Sequence, residues 1–172
     1  MLEAIPAVPR VRVGLVAAVS IATVLLDQLT KLWVLRSFQE GQVLPVIPGL
    51  FNLTLAFNPG AAFGLWSNLT DGTRQLVLAG TILLAVAMVV VFLKQTAGRG
   101  WLPQTALAGI LGGAIGNVID RVSYGRVVDF LDFYWGAYHW PAFNVADSAI
   151  CVGVAILILL PKPKDTIPNS PS

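Results

Sequence analysis

Long apolar segments without charged residues, separated by short polar stretches, dominate the sequence. Two of them, Gln75–Leu93 and Trp101–Ile119, each run for nineteen residues without a charge. A third, Val13–Leu26, continues as an apolar pattern to residue 35, and a fourth, Val145–Leu160, is broken only by Asp147. About 20 apolar residues at a rise of 1.5 Å each cross a bilayer as a helix. The pattern therefore predicts four transmembrane helices, near residues 13–35, 74–94, 101–122 and 144–160.

The composition narrows the class of protein. Of 172 residues, 56% are hydrophobic and only 12% are charged, against about 25% charged in an average soluble domain. An ordinary soluble enzyme, a disordered chain and a nucleic-acid-binding protein are all disfavoured. The net charge of +2 is too small to imply a polyanionic partner, and a single cysteine, Cys151, excludes an internal disulfide framework.

The first apolar segment is interpreted as a membrane helix that stays in the protein. A cleaved signal peptide ends at small residues, but here the apolar run leads into Asp27-Gln-Leu-Thr-Lys31. With four spans, residues 1–163 form a single four-helix membrane domain, with outer loops at 36–73 and 123–143. The segment after Leu160 is rich in Pro, Lys and Ser, and residues 164–172 are predicted to be a disordered cytoplasmic tail.

The basic residues predict the orientation in the membrane. Both tails and the turn between the second and third helices carry six of the eleven Lys and Arg residues in short stretches: Arg10, Arg12, Lys94, Arg99, Lys162 and Lys164. Basic residues in short loops favour the cytoplasmic side. The N- and C-termini are therefore predicted to be cytoplasmic, although Arg36, Arg74 and Arg126 flank the opposite side.

The two outer loops have different patterns. Phe51–Phe57 alternates apolar with small or polar residues and has prolines and glycines around it, which is typical of a half-buried strand. Residues 130–143 contain seven of the sixteen aromatic residues of the chain. We interpret this second segment as lying at the membrane interface, where aromatic side chains are enriched.

Polar residues in or near the spans gather toward the outer ends of the helices. Asp27 and Lys31 share a face of helix one at i, i+4, and are interpreted as a structural ion pair. The others lie near the end of helix three, just beyond it, or in the first turn of helix four: Asn117, Asp120, Arg121, Asp129, Asn144 and Asp147. Because charges inside a bilayer are costly, this shared depth predicts a single polar site at the outer boundary.

Several kinds of site are disfavoured. His139, the only histidine, is interpreted as an interfacial residue and not as the base of a nucleophilic triad, and Cys151 as a packed thiol. A Ser-Lys dyad on Lys31 lacks a serine placed beside it by spacing. Clustered His and Cys ligands for zinc are missing, so no metal or cofactor is expected. The glycines at 109, 112, 113 and 116 predict close helix packing.

Asp129 and Asp147 remain as candidates for acid–base chemistry. Two neighbouring carboxyls share a proton, so that one can activate water while the other protonates a carbonyl oxygen. Paired acids also occur in structural networks and in ion pathways. A transporter or proton channel that relays ions through Asp27, Asp129 and Asp147 and a non-catalytic membrane assembly factor therefore remain open alternatives.

The residues resemble those of one family, the lipoprotein signal peptidases or signal peptidase II. Five segments look like the motifs of the family, in the same order, over nearly the whole chain: Asp27–Lys31, Asn58–Phe63, Gly112–Arg121, Val127–Phe130 and Phe143–Ser148. The resemblance implies an all-α polytopic membrane protein with four transmembrane helices and a small extracytoplasmic β-cradle in the first outer loop.

The resemblance also implies an activity. The family consists of intramembrane aspartic endopeptidases of the bacterial inner membrane, which cut diacylglyceryl-modified prolipoproteins just before the lipidated cysteine and are inhibited by globomycin. The implied partners are that substrate and membrane lipid, without nucleic acid or cofactor. Asp129 and Asp147 match the two catalytic residues. Other motif residues match substrate-binding or site-supporting positions, namely Asn58, Gly60, Asn117, Arg121, Asn144 and Ala146. Asp27, Lys31 and Asp120 match structural polar positions.

Overall fold

Four helices account for most of the described chain. A computed structural model describes residues 10–60 and 70–161, so the predicted disordered tail at 164–172 lies outside the described residues. The helices fall on the four apolar segments of the sequence: α1 Val13–Ser37, α2 Asp71–Gln95, α3 Leu102–Tyr124 and α4 Val145–Leu159.

Three of these helices have the length and hydropathy needed to cross a membrane, over Val13–Ser37, Gln75–Gln95 and Leu102–Tyr124. The fourth, Val145–Leu159, is apolar but has only 15 residues, or roughly 22 Å of helix against a hydrocarbon core of about 30 Å. Large apolar side chains on the helices, such as Leu83 and Ile158, are exposed, as expected for surfaces that face lipid.

Helix α3 lies at the centre of the bundle, between α1 and α4. Its glycines let the neighbouring backbones approach closely. A Cβ atom at Gly112 would lie 2.7 Å from the backbone oxygen of Ser20, and one at Gly116 would lie 2.5 Å from Oδ2 of Asp27. A Cβ at Gly113 would collide with the backbone oxygen of Ala146. The predicted packing role is confirmed for Gly112, Gly113 and Gly116, whereas a Cβ at Gly109 would make only an ordinary contact.

A four-stranded antiparallel sheet covers one end of the bundle, which we call the sheet end. Its strands lie in the order β1 (Val43–Ile47), β2 (Phe51–Asn58), β3 (Val127–Trp135) and β4 (Tyr138–His139). The strand predicted at Phe51–Phe57 is present as β2. Because α1 leads into β1 and α3 leads into β3, the connection from α1 to α2 and the connection from α3 to α4 meet at the same end.

The prediction for the second connection is corrected by β3 and β4. Residues 127–135 form a strand next to β2 and are not simply an interfacial aromatic segment. The first four residues of β3 are all buried, so the strand lacks the alternation that marks a half-buried strand. Val128 and Phe130 pack with Val34 and Leu55 in a small apolar core beneath the sheet. This packing fixes Asp129, between them, against the helix ends.

Candidate active site

The predicted polar residues meet at the sheet end of the bundle. Asp27 and Lys31 come from α1, and Asn117, Asp120 and Arg121 from the last two turns of α3. The remainder come from β3 and from the start of α4, namely Asp129, Asn144 and Asp147. Hydrogen bonds and ion pairs join them into one network, which includes the main chain at Gly60 and Ala146.

The ammonium group of Lys31 lies at the centre of the buried part of this network. Its Nζ is 2.8 Å from Oδ2 of Asp27 and 2.9 Å from Oδ2 of Asp120, and all three side chains are 2% exposed or less. Nζ also donates to Oδ1 of Asn117 at 3.0 Å. The ion pair predicted between Asp27 and Lys31 is therefore present, but it is part of a triad with Asp120.

Gln28 adds a neutral donor that the sequence analysis missed. Its Nε2 lies 3.1 Å from Oδ2 of Asp27, 3.0 Å from Oδ1 of Asp120 and 3.1 Å from the carbonyl oxygen of Gly116. The position of Gln28 within the segment Asp27-Gln-Leu-Thr-Lys31 is the feature of the sequence that could have identified it. It lies beside the triad and connects the carboxylate of Asp27 to Asp120 and to the main chain of α3.

Asn144 connects the two candidate acids directly. Its Nδ2 donates to Oδ1 of Asp129 at 2.7 Å, while its backbone N–H donates to Oδ2 of Asp147 at 3.3 Å. Oδ1 of Asn144 accepts from the backbone N–H of Asp147 at 3.0 Å and so caps helix α4. One fully buried residue therefore begins the helix and links both carboxyls.

Asn117 provides a second donor to Asp147. Its Nδ2 lies 2.8 Å from Oδ1 of Asp147, while its own Oδ1 accepts from Lys31 and, at 3.2 Å, from Asn144. An ammonium group can only donate, so the amide of Asn117 must turn its oxygen toward Lys31 and its nitrogen toward Asp147. The orientation of this amide is thus fixed by its neighbours.

The environment of Asp129 favours its protonated form. Burial, and secondly the negative charge of Asp147, raise the pKa of Asp129 from 3.8 to about 7. Hydrogen bonds from Asn144 and Asn58 and the positive charge of Lys31 oppose this rise without cancelling it. Asp129 can therefore hold or release a proton near neutral pH, which suits acid–base chemistry.

Arg121 holds the end of β2 against α3. Its two terminal nitrogens each donate at 3.0 Å, one to the carbonyl oxygen of Asn117 and the other to that of Gly60. Its charge acts electrostatically on Asp147 and Asp129. Gly60 N–H donates to Oδ1 of Asn58 at 3.0 Å, so the turn after β2 is tied to the site through Arg121 and Asn58.

A mostly apolar groove of about 330 Å³ opens beside Asp147. One wall is the segment 140–143 that leads into α4, and the other is formed by Ser148, Ile150 and Cys151. The interpretation of Cys151 as a packed thiol is wrong, since the side chain is exposed and lines this groove. A second groove, of about 360 Å³ between α2 and α3, reaches Arg121.

His139 lies in β4, and its partners belong to the sheet. Its Nδ1 is 2.8 Å from Oδ1 of Asp132, and its ring stacks on Tyr134 with the centroids 5.0 Å apart. Asp132 also accepts from Nδ2 of Asn52 at 2.8 Å. The sequence analysis missed the Asp132–His139 contact, because the pairing depends on the β3–β4 register.

Comparisons with known proteins agree on one family. Residues 19–161 match the family described as Signal peptidase (SPase) II. The chain is 48% identical over 146 residues to the lipoprotein signal peptidase of Geobacter metallireducens, covering 85% of this chain and 87% of that protein. It is 51% identical over 136 residues to the lipoprotein signal peptidase of Ralstonia nicotianae, covering 79% and 77% respectively.

Solved structures resemble the fold. A bacterial membrane enzyme determined by the in meso method at 2.3 Å resolution superimposes with a TM-score of 0.76 at 31% identity, over 87% of this chain and 88% of that one. Another, at 1.9 Å resolution, gives a TM-score of 0.72 at 33% identity, over 87% and 94%. With the apolar helices, these likenesses indicate a multi-pass membrane protein, and the chain belongs to the signal peptidase II family.

Proposed function

We propose that this protein is an intramembrane aspartic endopeptidase that removes the signal peptide from diacylglyceryl-modified bacterial prolipoproteins. It cuts the peptide bond just before the lipidated cysteine. The observation that carries the proposal is the bridge through Asn144, which binds both acids and so joins the buried carboxyl of Asp129 to that of Asp147, which lines the groove. Membership of the signal peptidase II family supports the same activity.

The proposed chemistry uses the two carboxyls in opposite protonation states. Asp147 accepts hydrogen bonds from the side-chain amide of Asn117 and the backbone N–H of Asn144. It is the ionised base that takes a proton from water. Asp129, with its pKa raised to about 7, is the acid that protonates the carbonyl oxygen as water attacks.

The tetrahedral intermediate then breaks down without a covalent enzyme intermediate. Asp147 returns its proton to the nitrogen of the leaving amine as the C–N bond breaks. The carbonyl forms again as its hydroxyl proton passes back to Asp129. Both acids regain their starting states, and the net reaction adds one water across the peptide bond.

The proposed location is the outer face of the cytoplasmic membrane. The short basic stretches at Arg10, Arg12, Lys94 and Arg99 lie at the end of the bundle opposite the sheet, which supports a cytoplasmic side there. The sheet end is then extracytoplasmic, and the carboxyl pair lies near the level of the lipid headgroups. A substrate anchored by acyl chains presents its scissile bond at that level.

Lateral access from the bilayer fits such a substrate. The groove beside Asp147 is lined mostly by apolar groups, including Phe143 and Ile150. A lipidated cysteine that approaches along this surface keeps its acyl chains out of water, which would cost about 0.8 kcal/mol for each CH₂ exposed. The anchored substrate also arrives already oriented, which raises its effective concentration at the two acids.

The test is a gel-shift cleavage assay in detergent. A diacylglyceryl-modified prolipoprotein is offered beside its unlipidated form, to the wild type and to Asp129→Asn and Asp147→Asn, each checked for folding. Cleavage by the wild type alone, only of the lipidated form and blocked by globomycin, supports the proposal. Substantial cleavage by either variant contradicts the two-aspartate mechanism, and a folded but inactive wild type contradicts the activity.

A further inference from the structure

We infer that the triad of Asp27, Lys31 and Asp120 sets the separation of Asp129 and Asp147, so that its three members are positioning residues for hydrolysis. This inference rests on the proposed function, since it assigns a role in the same reaction. It goes beyond charge compensation, because it links the triad to the main chain beside each acid.

Each carboxylate of the triad accepts the backbone N–H of the residue directly before one of the two acids. Oδ1 of Asp27 accepts from Ala146, which precedes Asp147, at 2.9 Å. Oδ2 of Asp120 accepts from Val128, which precedes Asp129, at 3.0 Å. The two contacts come from different helices and reach different elements, yet they have the same relation to the acids.

Lys31 joins these two contacts. Its ammonium group is within 3 Å of both carboxylates, at 2.8 Å and 2.9 Å. A continuous path of short polar contacts therefore runs from the main chain at Ala146 through Asp27, Lys31 and Asp120 to the main chain at Val128.

The hydrogen bonds from the triad supply a constraint on the main chain that Asn144 alone does not provide. Two carboxyls near one another repel when both are ionised, and Asn144 connects them only through neutral groups. The N–H of Ala146 lies in the first turn of α4, where the helix provides no carbonyl acceptor. Asp27 fills that gap, and its charge fixes the first turn that carries Asp147.

The carboxylates of Asp27 and Asp120 differ in which oxygen accepts each hydrogen bond. This difference makes their asparagine variants a matched pair. In Asp27 the contacts lie on separate oxygens, with Ala146 on Oδ1 and Lys31 on Oδ2. In Asp120 a single oxygen, Oδ2, accepts from both Val128 and Lys31. An asparagine has only one acceptor oxygen. Asp120→Asn can therefore keep both of these contacts, although it loses the one that Oδ1 accepts from Gln28. In Asp27→Asn the single oxygen must turn toward Lys31, whose ammonium group can only donate, so the contact with the N–H of Ala146 is lost.

The experiment compares kcat, KM and the unfolding temperature of Asp27→Asn and Asp120→Asn with the lipidated prolipoprotein as substrate. Both changes remove one buried negative charge next to Lys31. We expect Asp27→Asn to lower kcat by about 100-fold with KM within about twofold, because a displacement of 1 Å in an active site has that effect. Asp120→Asn should lower kcat by no more than about fivefold, on the same reasoning.

A second pair of variants moves Asp27 without changing its charge. The Cβ atom of Gly116→Ala would lie 2.5 Å from Oδ2 of Asp27, so the carboxylate must shift. At Gly109 on the same helix, the nearest atom to a new Cβ is the backbone oxygen of Ala149 at 3.7 Å, an ordinary contact. Gly116→Ala should lose kcat as Asp27→Asn does, and Gly109→Ala should keep it. If Asp27→Asn does not fold, the comparison of Gly116→Ala with Gly109→Ala tests the positioning role of Asp27.

Amide hydrogen exchange gives a readout that does not depend on activity. We expect the N–H of Ala146 to exchange at least about tenfold faster in Asp27→Asn than in Asp120→Asn, because only the former loses its acceptor. Equal exchange, or kcat losses in both variants that merely follow their unfolding temperatures, would overturn the inference. A folded wild type that cleaves nothing overturns the proposed function instead, and the exchange comparison then still tests the positioning role.

Discussion

The sheet end of the bundle contains two pairs of aspartates, each with at least one buried member, that differ in which groups contact their carboxyls. Asp27 and Asp120 share the full positive charge of Lys31, and each also accepts a backbone N–H. Asp129 and Asp147 share hydrogen bonds from Asn144, a neutral side chain, while the positive charges of Lys31 and Arg121 also act on them. The comparison teaches that an ammonium group in direct contact suits an aspartate to hold structure, whereas hydrogen bonds from neutral groups leave the pKa of a buried aspartate such as Asp129 raised.

The largest expected effect comes from removing one acid of the pair that Asn144 bridges. Asp129→Asn or Asp147→Asn should lower kcat by more than about 1,000-fold, because each removes a proton donor or acceptor of the proposed reaction. Folding should be kept, since asparagine retains an acceptor oxygen and relieves the repulsion between the carboxyls. Cleavage rates and unfolding temperatures of the two variants test this prediction. A large loss of stability in either variant would contradict the difference proposed between this pair and the triad.

The next largest effect is expected from removing the positive charge that Asp27 and Asp120 share. Lys31→Met leaves two buried carboxylates without their counter-charge and should lower the free energy of unfolding by about 3–5 kcal/mol. Adding Asp27→Asn and Asp120→Asn to the same chain should restore most of that loss, because the charges are removed together. Denaturant unfolding in detergent measures both. Equal losses in the single and triple variants would show that the triad is not coupled.

The raised pKa of Asp129 makes stability depend on pH in a definite direction. The folded protein binds more protons than the unfolded chain between about pH 4 and pH 7. Its stability should therefore fall as the pH rises through this window, by up to about 4 kcal/mol. Asp129→Asn should remove this slope in unfolding experiments, and a slope that survives must come from other groups.

The same titration should affect catalysis. Because the proposed acid must be protonated, kcat of the wild type should fall as the pH rises through about 7. Asp147→Asn removes the second cause of the raised pKa, the charge of Asp147, so the stability slope of that variant should end at a lower pH. A wild-type rate that stays constant well above pH 7 would contradict the role of Asp129 as the acid.

The smallest effect is expected at His139, outside both pairs. Its contact with Asp132 is half exposed on the histidine side, and exposed ion pairs contribute only about 0–1 kcal/mol. His139→Gln should therefore lower stability by less than about 1 kcal/mol and leave kcat unchanged. A strong loss of activity in His139→Gln would contradict this prediction and would indicate that strand β4 affects the reaction.

The sequence predicted the parts of this molecule that depend on local pattern. The apolar helices, the strand at Phe51–Phe57, the i, i+4 pair of Asp27 and Lys31 and the glycine packing of α3 all follow from spacing along one element. The depth shared by the polar residues also predicted that they would meet.

The features that the sequence analysis missed depend on how distant elements meet. Strand β3 was missed because its first four residues are buried on both faces, so that the strand begins without the period-2 pattern. Asp120 joins Lys31 only because α3 packs on α1, and Cys151 is exposed only because a groove opens beside α4. Spacing along one element contains no information on such contacts between elements.

The double role of Asn144 makes the enzyme sensitive to fraying of a single helical turn. The first turn of a helix is where thermal opening starts, and here its cap is also the link between the two acids. When that turn opens, the carboxyls separate although the rest of the bundle stays folded. If the two acids act as proposed, we expect heat to abolish activity below the unfolding temperature of the bundle, and the loss of activity would then report on the opening of the first turn of α4.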